Sequence, residues 1–347
     1  MQVFDGHNDA LLRLARGGPD PVATFRDGEP GHVDAVKAKA GGMRGGFFAM
    51  FALDETVGLD FAIFDAPPYD TPLPPELAQD VAWPKIARQA EIAGALEKAG
   101  LIRFMRSSGD VHLHGDALAG VLHLEGAECI GPDLQGLSEL FELGLRSIGP
   151  VWSRPTAFAH GVPFRFPGDG DTGPGLTEAG RSLVGECLRL GMIVDTSHMT
   201  VKGFWDVADE GAPLVATHSN AYAISPSARN LTDDQLRAIG ETNGMVGLNF
   251  GTMFLRPDGK RDPVGALDYA CTHLAHMIEL AGEEHVGLGS DFDGAPMPQG
   301  LRHAGDLPIL VQRMRDFGFG ADLIKKLCRG NWLAFLRRNL NDVQGIS

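Results

Sequence analysis

Short apolar runs alternate with helical patterns along most of this chain, and together they predict its secondary structure. Runs such as Gly-Val-Leu-His-Leu at 120–124 and Met-Val-Gly-Leu-Asn-Phe at 245–250 lack a two-residue alternation, which is typical of strands covered on both faces. Such runs predict eight strands, at about 2–5, 46–52, 119–124, 145–151, 192–196, 213–217, 244–250 and 286–290. Between them the pattern predicts helices near 83–99, 134–143, 177–190, 200–210, 232–240 and 263–282.

Boundary signals sharpen three of these helices. Proline is tolerated only near the start of a helix, so the first is expected to begin just after Pro84. The third is expected to end at Gly191, because glycine readily takes the left-handed conformation that terminates helices. The fourth is expected to be capped by Ser197 or Thr200, whose hydroxyls accept a hydrogen bond from a free backbone N–H.

The alternation of strands and helices predicts the fold class. Successive βα units form parallel sheets, and eight strands predict an α/β fold, a (β/α)8 TIM barrel, with residues 1–347 as a single domain. A doubly wound open sheet is the alternative. No internal repeat, linker or low-complexity block divides the chain, and single-domain barrels commonly reach such lengths.

Two long irregular segments, at about 53–82 and 152–176, interrupt the pattern. Both follow predicted strands, so both should lie on the C-terminal face of the barrel, where active sites of this fold are found. Long loops in compact domains are usually functional. For 53–82, a dimer contact or a plain surface role is the alternative.

Composition narrows the choice of partners and compartments. The 347-residue chain has a net charge of −15, which argues against nucleic acid because the basic patches that neutralise phosphates are missing. No apolar stretch reaches the roughly 18 residues that span a membrane, and no signal peptide is recognisable. A cytoplasmic protein is therefore expected. Its four cysteines form no CxxC pair and are expected to be buried, reduced thiols.

Six metal-competent or acid/base residues lie at or just past the ends of predicted strands: His7, Asp9, Glu125, His198, His218 and Asp291. His7 and Asp9 are two positions apart, so on a strand they point to the same face. In a closed barrel the eighth strand neighbours the first. Asp291 should therefore face His7 and Asp9.

Three histidines and three carboxylates form a ligand set for two divalent cations and an acid/base group. Neutral imidazoles suit Zn²⁺, and a carboxylate such as Glu125 is costly to bury without a partner. Two cations would lower the pKa of a water and polarise a scissile carbonyl. The set therefore predicts metal-assisted hydrolysis. Asp195 is a candidate to orient a ligand, and His123 is interpreted as structural or as a hydrogen-bond donor behind the site.

Several segments carry a more specific pattern: Asp5-Gly-His-Asn-Asp9, Glu125-Gly, Gly175-Leu-Thr-Glu-Ala-Gly-Arg181, Leu190-Gly-Met-Ile-Val-Asp-Thr-Ser-His198, Thr217-His-Ser-Asn-Ala-Tyr222, Ala228-Arg-Asn230 and Asp291-Phe-Asp-Gly294. In this order they resemble the membrane (renal) dipeptidase family, which are binuclear zinc peptidases of the amidohydrolase superfamily. The resemblance spans residues 5 to about 294, and it is most specific over 175–230, where the matching runs are long.

The resemblance implies roles for the metal-competent residues. His7 and Asp9 would bind one zinc ion, and His198 and His218 would bind a second. Glu125 would bridge both ions, with a hydroxide between them.

It implies two further roles. Asp291 would carry a proton from that water to the leaving amine, as a general acid/base does. Arg229 would hold the free C-terminal carboxylate of a dipeptide, since a guanidinium matches a carboxylate in a bidentate fork.

One position departs from the family pattern. The family usually has a histidine at the end of the fourth strand, which contacts the substrate carbonyl, and Trp152 stands there in this chain. Tryptophan donates one N–H and carries no charge. His160 or Arg154 could supply the missing donor, so Trp152 and His160 are candidate substrate-binding residues.

The leading hypothesis is a zinc dipeptidase that accepts a D-residue at the C-terminal position, as the resemblance implies. The family also suggests a possible homodimer. An amidohydrolase acting on N-acyl amino acids is the alternative that the Trp152 change keeps open. A non-catalytic metal-binding barrel is a third, against which the presence of Asp291 counts.

Overall fold

The structure, a computed structural model, describes residues 1–28, 30–57 and 60–340. The strands are β1 (Val3–Asn8), β2 (Met43–Phe51), β3 (Tyr69–Asp70), β4 (Ile102–Phe104), β5 (Leu118–Glu125), β6 (Leu145–Gly149), β7 (Arg165–Phe166), β8 (Ile193–Val194), β9 (Val215–Ala216), β10 (Met245–Leu248) and β11 (Val286–Leu288). The α-helices are α1 (Ala10–Arg16), α2 (Pro21–Asp27), α3 (Ala35–Gly41), α4 (Gln79–Lys98), α5 (Leu137–Leu143), α6 (Glu178–Leu190), α7 (Val201–Asp209), α8 (Asp233–Glu241), α9 (Thr252–Leu255), α10 (Ala266–Ala281), α11 (Leu307–Phe317), α12 (Ala321–Lys325) and α13 (Asn331–Asn339).

Eight parallel strands form the barrel. They are hydrogen-bonded in the order β8-β6-β5-β2-β1-β11-β10-β9, with β4 added beside β5. The ends of this path, β8 and β9, are joined by a parallel bridge between Asp195 and Val215. The Thr196 N–H reinforces this seam by donating to the Val215 carbonyl at 2.6 Å. The predicted (β/α)8 barrel is confirmed, and the eight predicted strands all form.

Helices cover the outside of the barrel with their apolar faces. In α6, Leu183 and Cys187 are buried, and Gly191 ends the helix in the left-handed conformation, as predicted. Thr200, and not Ser197, caps α7 by accepting a hydrogen bond from a backbone N–H. All four cysteines are buried and free, as predicted. No helix in the described ranges is both long and apolar enough to cross a bilayer.

The predicted start of the first helix is wrong. That helix, α4, begins at Gln79, and Pro84 lies inside it. Pro84 removes the hydrogen bond to the carbonyl of Asp80, and because both residues are exposed, water can bond that carbonyl instead. The hydrophobic pattern also missed β3, β4 and β7, which have only two or three residues each.

The barrel interior below the strand ends is a packed core. Trp332 of α13 is fully buried and donates its indole N–H to the Leu288 carbonyl at 2.9 Å. Above it, Gly247 and Gly289 lie so close to the Thr217 carbonyl that a Cβ would approach its oxygen to 2.0 and 1.8 Å. The predicted metal-competent residues lie above this core, at the C-terminal ends of the strands.

The described parts of the two long irregular segments lie together on that C-terminal face, as expected. Their short strands β3 and β7 pair in antiparallel fashion, with Tyr69 opposite Phe166. Phe64 from the first segment and Phe164 from the second line the same cavity as Glu125 at the end of β5. The segments thus form the walls above the strand ends.

Candidate metal centre

The six residues predicted from strand ends come together in the structure. His7 belongs to β1, and Glu125 is the last residue of β5. The others lie just past a barrel strand: Asp9, His198, His218 and Asp291. Five of the six are at most 5% exposed, whereas Asp291 is partly exposed to the cavity above.

Glu125 lies at the centre of the group and presents a different oxygen to each side. Its Oε2 is 3.6 Å from His7 Nε2. Its Oε1 is 3.2 Å from His198 Nε2 and 3.6 Å from His218 Nε2. A carboxylate with one oxygen facing each set of ligands is the arrangement needed to bridge two cations.

Two sets of candidate ligand atoms surround this carboxylate. Glu125, His198 and His218 offer atoms within 4.8 Å of one another, and so do His7, Asp9 and Asp291. His7 Nε2 is 3.6 Å from Asp9 Oδ2, while the Nε2 atoms of the other two histidines are 3.0 Å apart. These spacings fit two cation positions side by side.

The hydrogen bonding of His7 supports this fit. Among the described residues, both of its ring nitrogens are buried without a hydrogen-bond partner. A buried polar atom without a partner is costly, and a cation at Nε2 would remove that cost. The donor set of imidazoles and carboxylates therefore fits divalent metal ions, zinc among them.

The charges in the site also favour cations. Burial alone would raise the pKa of Glu125, but the facing His7 and His198 outweigh it and hold this pKa well below its usual range. Burial raises the pKa of Asp9 to about 7, and repulsion from Glu125 contributes to the rise. Burial, followed by the Arg229 charge, lowers the pKa of His198 to about 4. His198 is therefore neutral at pH 7, as a metal ligand must be.

Groups behind the ligands hold their rings in place. Ser153 Oγ is 2.9 Å from His198 Nδ1, and Thr217 Oγ1 is 2.9 Å from His218 Nδ1. Sequence reasoning missed Ser153, and its only signal was a place next to Trp152 at the start of a long segment. His123 is behind the site as predicted, with Nδ1 2.9 Å from Ser147 Oγ.

The backbone at the strand ends is strained. His198, Asp291 and Asp293 have φ angles of 67, 60 and 71°, in the left-handed region that residues other than glycine rarely adopt. Such strain tends to collect at functional sites. Asn249, a second residue that sequence reasoning missed, steadies this turn by donating Nδ2–H to Asp291 Oδ2 at 2.9 Å.

Arg229 is buried beside the candidate ligands. Its Nη2 donates to the His218 carbonyl at 3.2 Å, and its guanidinium carbon is 5.7 Å from the centre of the Phe254 ring. Nε has no hydrogen-bond partner in the described structure. Burial lowers the pKa of Arg229 to about 10, so the group stays charged at neutral pH and retains capacity for an anion.

Trp152 lines the cavity, as a substrate-binding residue would. Its ring centroid is 5.7 Å from that of His198 and 5.6 Å from that of Phe164. The described lining of the cavity includes neither His160 nor Arg154. Arg154 is fully buried and donates to Asp54 Oδ1 at 2.7 Å. Neither candidate donor is therefore among the described cavity-lining residues, and the same is true of Arg229.

The cavity above the ligands has a volume of about 850 Å³ and two different walls. An aromatic and apolar wall comes from the long segments and α9, and its members include Trp152, Phe164, Met253 and Phe254. A second, more polar part of the lining comes from α1 and α4, and its members include Arg16, Lys85 and Arg88. This space is large enough for a dipeptide-sized ligand.

A family comparison agrees with this geometry. The family described as "Membrane dipeptidase (Peptidase family M19)" matches residues 1–344. The chain belongs to the membrane dipeptidase family. The resemblance predicted from the sequence segments is thus confirmed.

Individual proteins are also similar to this chain. A metallo peptidase from Rhodobacter sphaeroides, crystallised with a phosphinate mimic of the dipeptide L-Ala-D-Ala, is 49% identical, with a TM-score of 0.95 over 98% of this chain and 99% of that chain. A Klebsiella pneumoniae protein described as "uncharacterized protein in pqqA 5'region" is 42% identical over 74% of this chain and 96% of its own length. An uncharacterised dipeptidase of Schizosaccharomyces pombe is 32% identical over 89% of this chain and 73% of its own length. Membership of the family supports a metal-dependent dipeptidase.

Proposed function

We propose that this protein is a binuclear zinc dipeptidase that hydrolyses dipeptides with a free C-terminal carboxylate and accepts a D-residue at the C-terminal position. The proposal rests on the position of the Glu125 carboxylate. One of its oxygens faces His7, and the other faces the His198–His218 pair. Two cations, one on each side of Glu125, would give each of its oxygens a positively charged partner.

His7 and Asp9 would hold one zinc ion, and His198 and His218 would hold the other, with Glu125 shared. Two zinc ions in these positions would lower the pKa of a water and polarise the scissile carbonyl. Trp152 and the aromatic wall would keep bulk water away from the reacting bond.

Asp291 is proposed as the group that moves the proton. Asn249 donates to its Oδ2, which leaves Oδ1 to take a proton from the attacking water and return it to the departing amine nitrogen. Burial raises the pKa of Asp291. A raised pKa brings the carboxyl group nearer to working pH, where both steps are efficient.

Arg229 is proposed as the anchor for the C-terminal carboxylate. Because it packs against Phe254, it would orient the C-terminal residue towards the aromatic wall, near Phe164 and Met253. The N-terminal residue would then lie towards α1 and α4. The phosphinate mimic of L-Ala-D-Ala bound by the Rhodobacter sphaeroides protein supports this substrate class.

The substrate assignment is tested by comparing zinc-loaded protein on L-Ala-D-Ala, L-Ala-L-Ala and N-acetyl-D-Ala. The two dipeptides should be hydrolysed, with the D-Ala compound at least as good a substrate. If kcat/KM is higher for N-acetyl-D-Ala than for either dipeptide, the protein is an N-acyl amino acid amidohydrolase and not a dipeptidase. That is the alternative that the Trp152 change keeps open. No turnover of any compound by protein that carries two metals would favour a non-catalytic barrel.

Arg229→Met is expected to lower kcat/KM for L-Ala-D-Ala by about 30- to 5,000-fold, because losing one partner of a buried charge pair costs about 2–5 kcal/mol. Steady-state kinetics on L-Ala-D-Ala and on its C-terminal amide measure this. The amide lacks the carboxylate, so the variant should treat it much as the unmodified protein does.

Arg181→Met is the matched control for this experiment, because Arg181 forms surface ion pairs with Asp206 and Glu210 on α7 and at its end. It should leave both substrates unaffected. Equal losses on the peptide and its amide in Arg229→Met would remove Arg229 from the anchoring role.

A further inference from the structure

We propose that Asp195 and Thr217 set the tautomer of His218, so that its Nε2 lone pair faces Glu125 and remains available to a metal ion. Asp195 and Thr217 are positioning residues in this scheme, since both act through His218. The inference rests on the metal-dependent function proposed above, and it assigns to the two residues a role in metal affinity.

Four short, buried contacts form and hold the relay between Asp195 and His218. Thr217 Oγ1 donates to Asp195 Oδ2 at 2.6 Å, and the same Oγ1 is 2.9 Å from His218 Nδ1. Asp195 Oδ1 accepts the backbone N–H of Thr217 at 2.9 Å and that of Ser197 at 3.0 Å. All four residues are at most 2% exposed, so water does not compete for these groups.

The position of the single hydroxyl proton of Thr217 determines the tautomer of His218. A threonine hydroxyl has one proton and otherwise only lone pairs. Because that proton goes to Asp195 Oδ2, the hydroxyl oxygen can only accept from His218, and Nδ1 must carry the hydrogen. The neutral ring then has its lone pair at Nε2. That atom is 3.6 Å from Glu125 Oε1.

Asp195 also lies at the seam between β8 and β9, where its bridge to Val215 pairs the two strands. A purely structural role for Asp195 is therefore the competing explanation. A substitution of Thr196 can distinguish these two explanations. Its Oγ1 donates to the Val215 carbonyl at 2.7 Å, so it strengthens the same seam without bonding to a histidine in the described structure.

Asp195→Asn makes the sharpest test because it keeps the shape of the side chain and reverses both hydrogen bonds of the Thr217 hydroxyl. The new Nδ2 would donate to Thr217 Oγ1, and the hydroxyl would then donate to His218 Nδ1. This forces the ring proton onto Nε2 and removes the lone pair from the metal side. The same swap of aspartate for asparagine behind a catalytic histidine imposes the wrong tautomer in serine proteases.

The experiment measures zinc stoichiometry and affinity by chelator competition on four purified variants. Asp195→Asn should weaken one of the two zinc sites by about 100-fold and Thr217→Val by about 10-fold, the range typical of groups that orient metal ligands. Thr217→Ser, which keeps the hydroxyl, should stay within about twofold of the unmodified protein by the same reasoning. Thr196→Val should lower the thermal midpoint and leave both zinc affinities intact.

Nitrogen-15 NMR of labelled histidine in the zinc-loaded protein provides a second readout, since the shifts of the ring nitrogens report which one carries the proton. Wild-type zinc affinities in both Asp195→Asn and Thr217→Val would overturn the inference, as would an equal loss of affinity in Thr196→Val. In either case intact zinc binding and hydrolysis by the unmodified protein would leave the proposed function standing. Failure of the unmodified protein to bind two zinc ions would overturn both.

Discussion

Glu125→Gln is expected to reduce dipeptide hydrolysis by about 10³-fold or more and to leave at most one metal ion per chain. Glutamine has nearly the same shape but only one oxygen, so it cannot serve both His7 and the His198–His218 pair. The amide nitrogen would also point a donor at one cation position. Loss of a cation removes several kcal/mol of charge stabilisation in the transition state, and about 1.4 kcal/mol corresponds to each tenfold in rate.

Metal analysis and steady-state kinetics on the same preparations test this expectation. Glu128→Gln is the matched control, because Glu128 is also a buried carboxyl group but is not among the described residues that line the cavity. It should retain two metal ions and most of the activity. A Glu125→Gln protein with two tightly held metals and full turnover would refute the bridging role.

Removal of the metals from the unmodified protein should have a parallel effect on stability. Ligands that bind only the folded state stabilise it by about 2.7 kcal/mol at a concentration of 100 times Kd. The thermal midpoint should therefore fall on chelation and recover when zinc is added back. Glu125→Gln should show a smaller recovery, because one of its sites is damaged.

Asp291→Asn is the second substitution for which we expect a large loss of activity. It should lower kcat by about 10²–10⁴-fold, the usual contribution of a positioned acid/base group, while two metal ions remain bound. Asparagine preserves the size of the side chain, but it cannot take a proton from water and return it to the amine. The hydrogen bond from Asn249 should hold the new side chain in place.

Metal content is the decisive companion measurement for Asp291→Asn, because Asp291 also lies within 4.8 Å of the ligand atoms of His7 and Asp9. Loss of a metal ion would make Asp291 a ligand and not a proton carrier. Asp293→Asn is a comparison variant at a second carboxylate that lines the cavity. Asp293 accepts the His32 N–H and pairs with Arg13, so its loss should reduce stability far more than turnover.

The eight barrel strands could be predicted because each is covered on both faces, and such strands form apolar runs bounded by helical patterns. The shortest strands and one helix boundary could not be predicted. β3 and β7 have two residues each and exist because two long segments meet above the barrel. The start of α4 was also missed, since exposure of Pro84 allows a helix to continue through a residue that usually limits it.

The residues of the candidate site also fall into two groups, those that the sequence could predict and those that it could not. Residue type and position at a strand end were enough to select His7, Glu125 and His218, because the carboxyl ends of parallel strands share one face of a barrel. Ser153 and Asn249 were missed. Each is an ordinary polar residue in sequence and matters only because one lies 2.9 Å from His198 Nδ1 and the other bonds Asp291.

The amino-acid sequence alone determined the barrel, the identity of the metal-competent residues and the family to which the chain belongs, since all of these depend on residue type, order and spacing. Only the tertiary structure decided how those residues act together. It put one oxygen of Glu125 towards each set of histidines and linked Asp195 to His218 through a single hydroxyl. These features depend on ångström distances between residues far apart in the chain, and hydrogen bonds and metal ligation are decided at that scale.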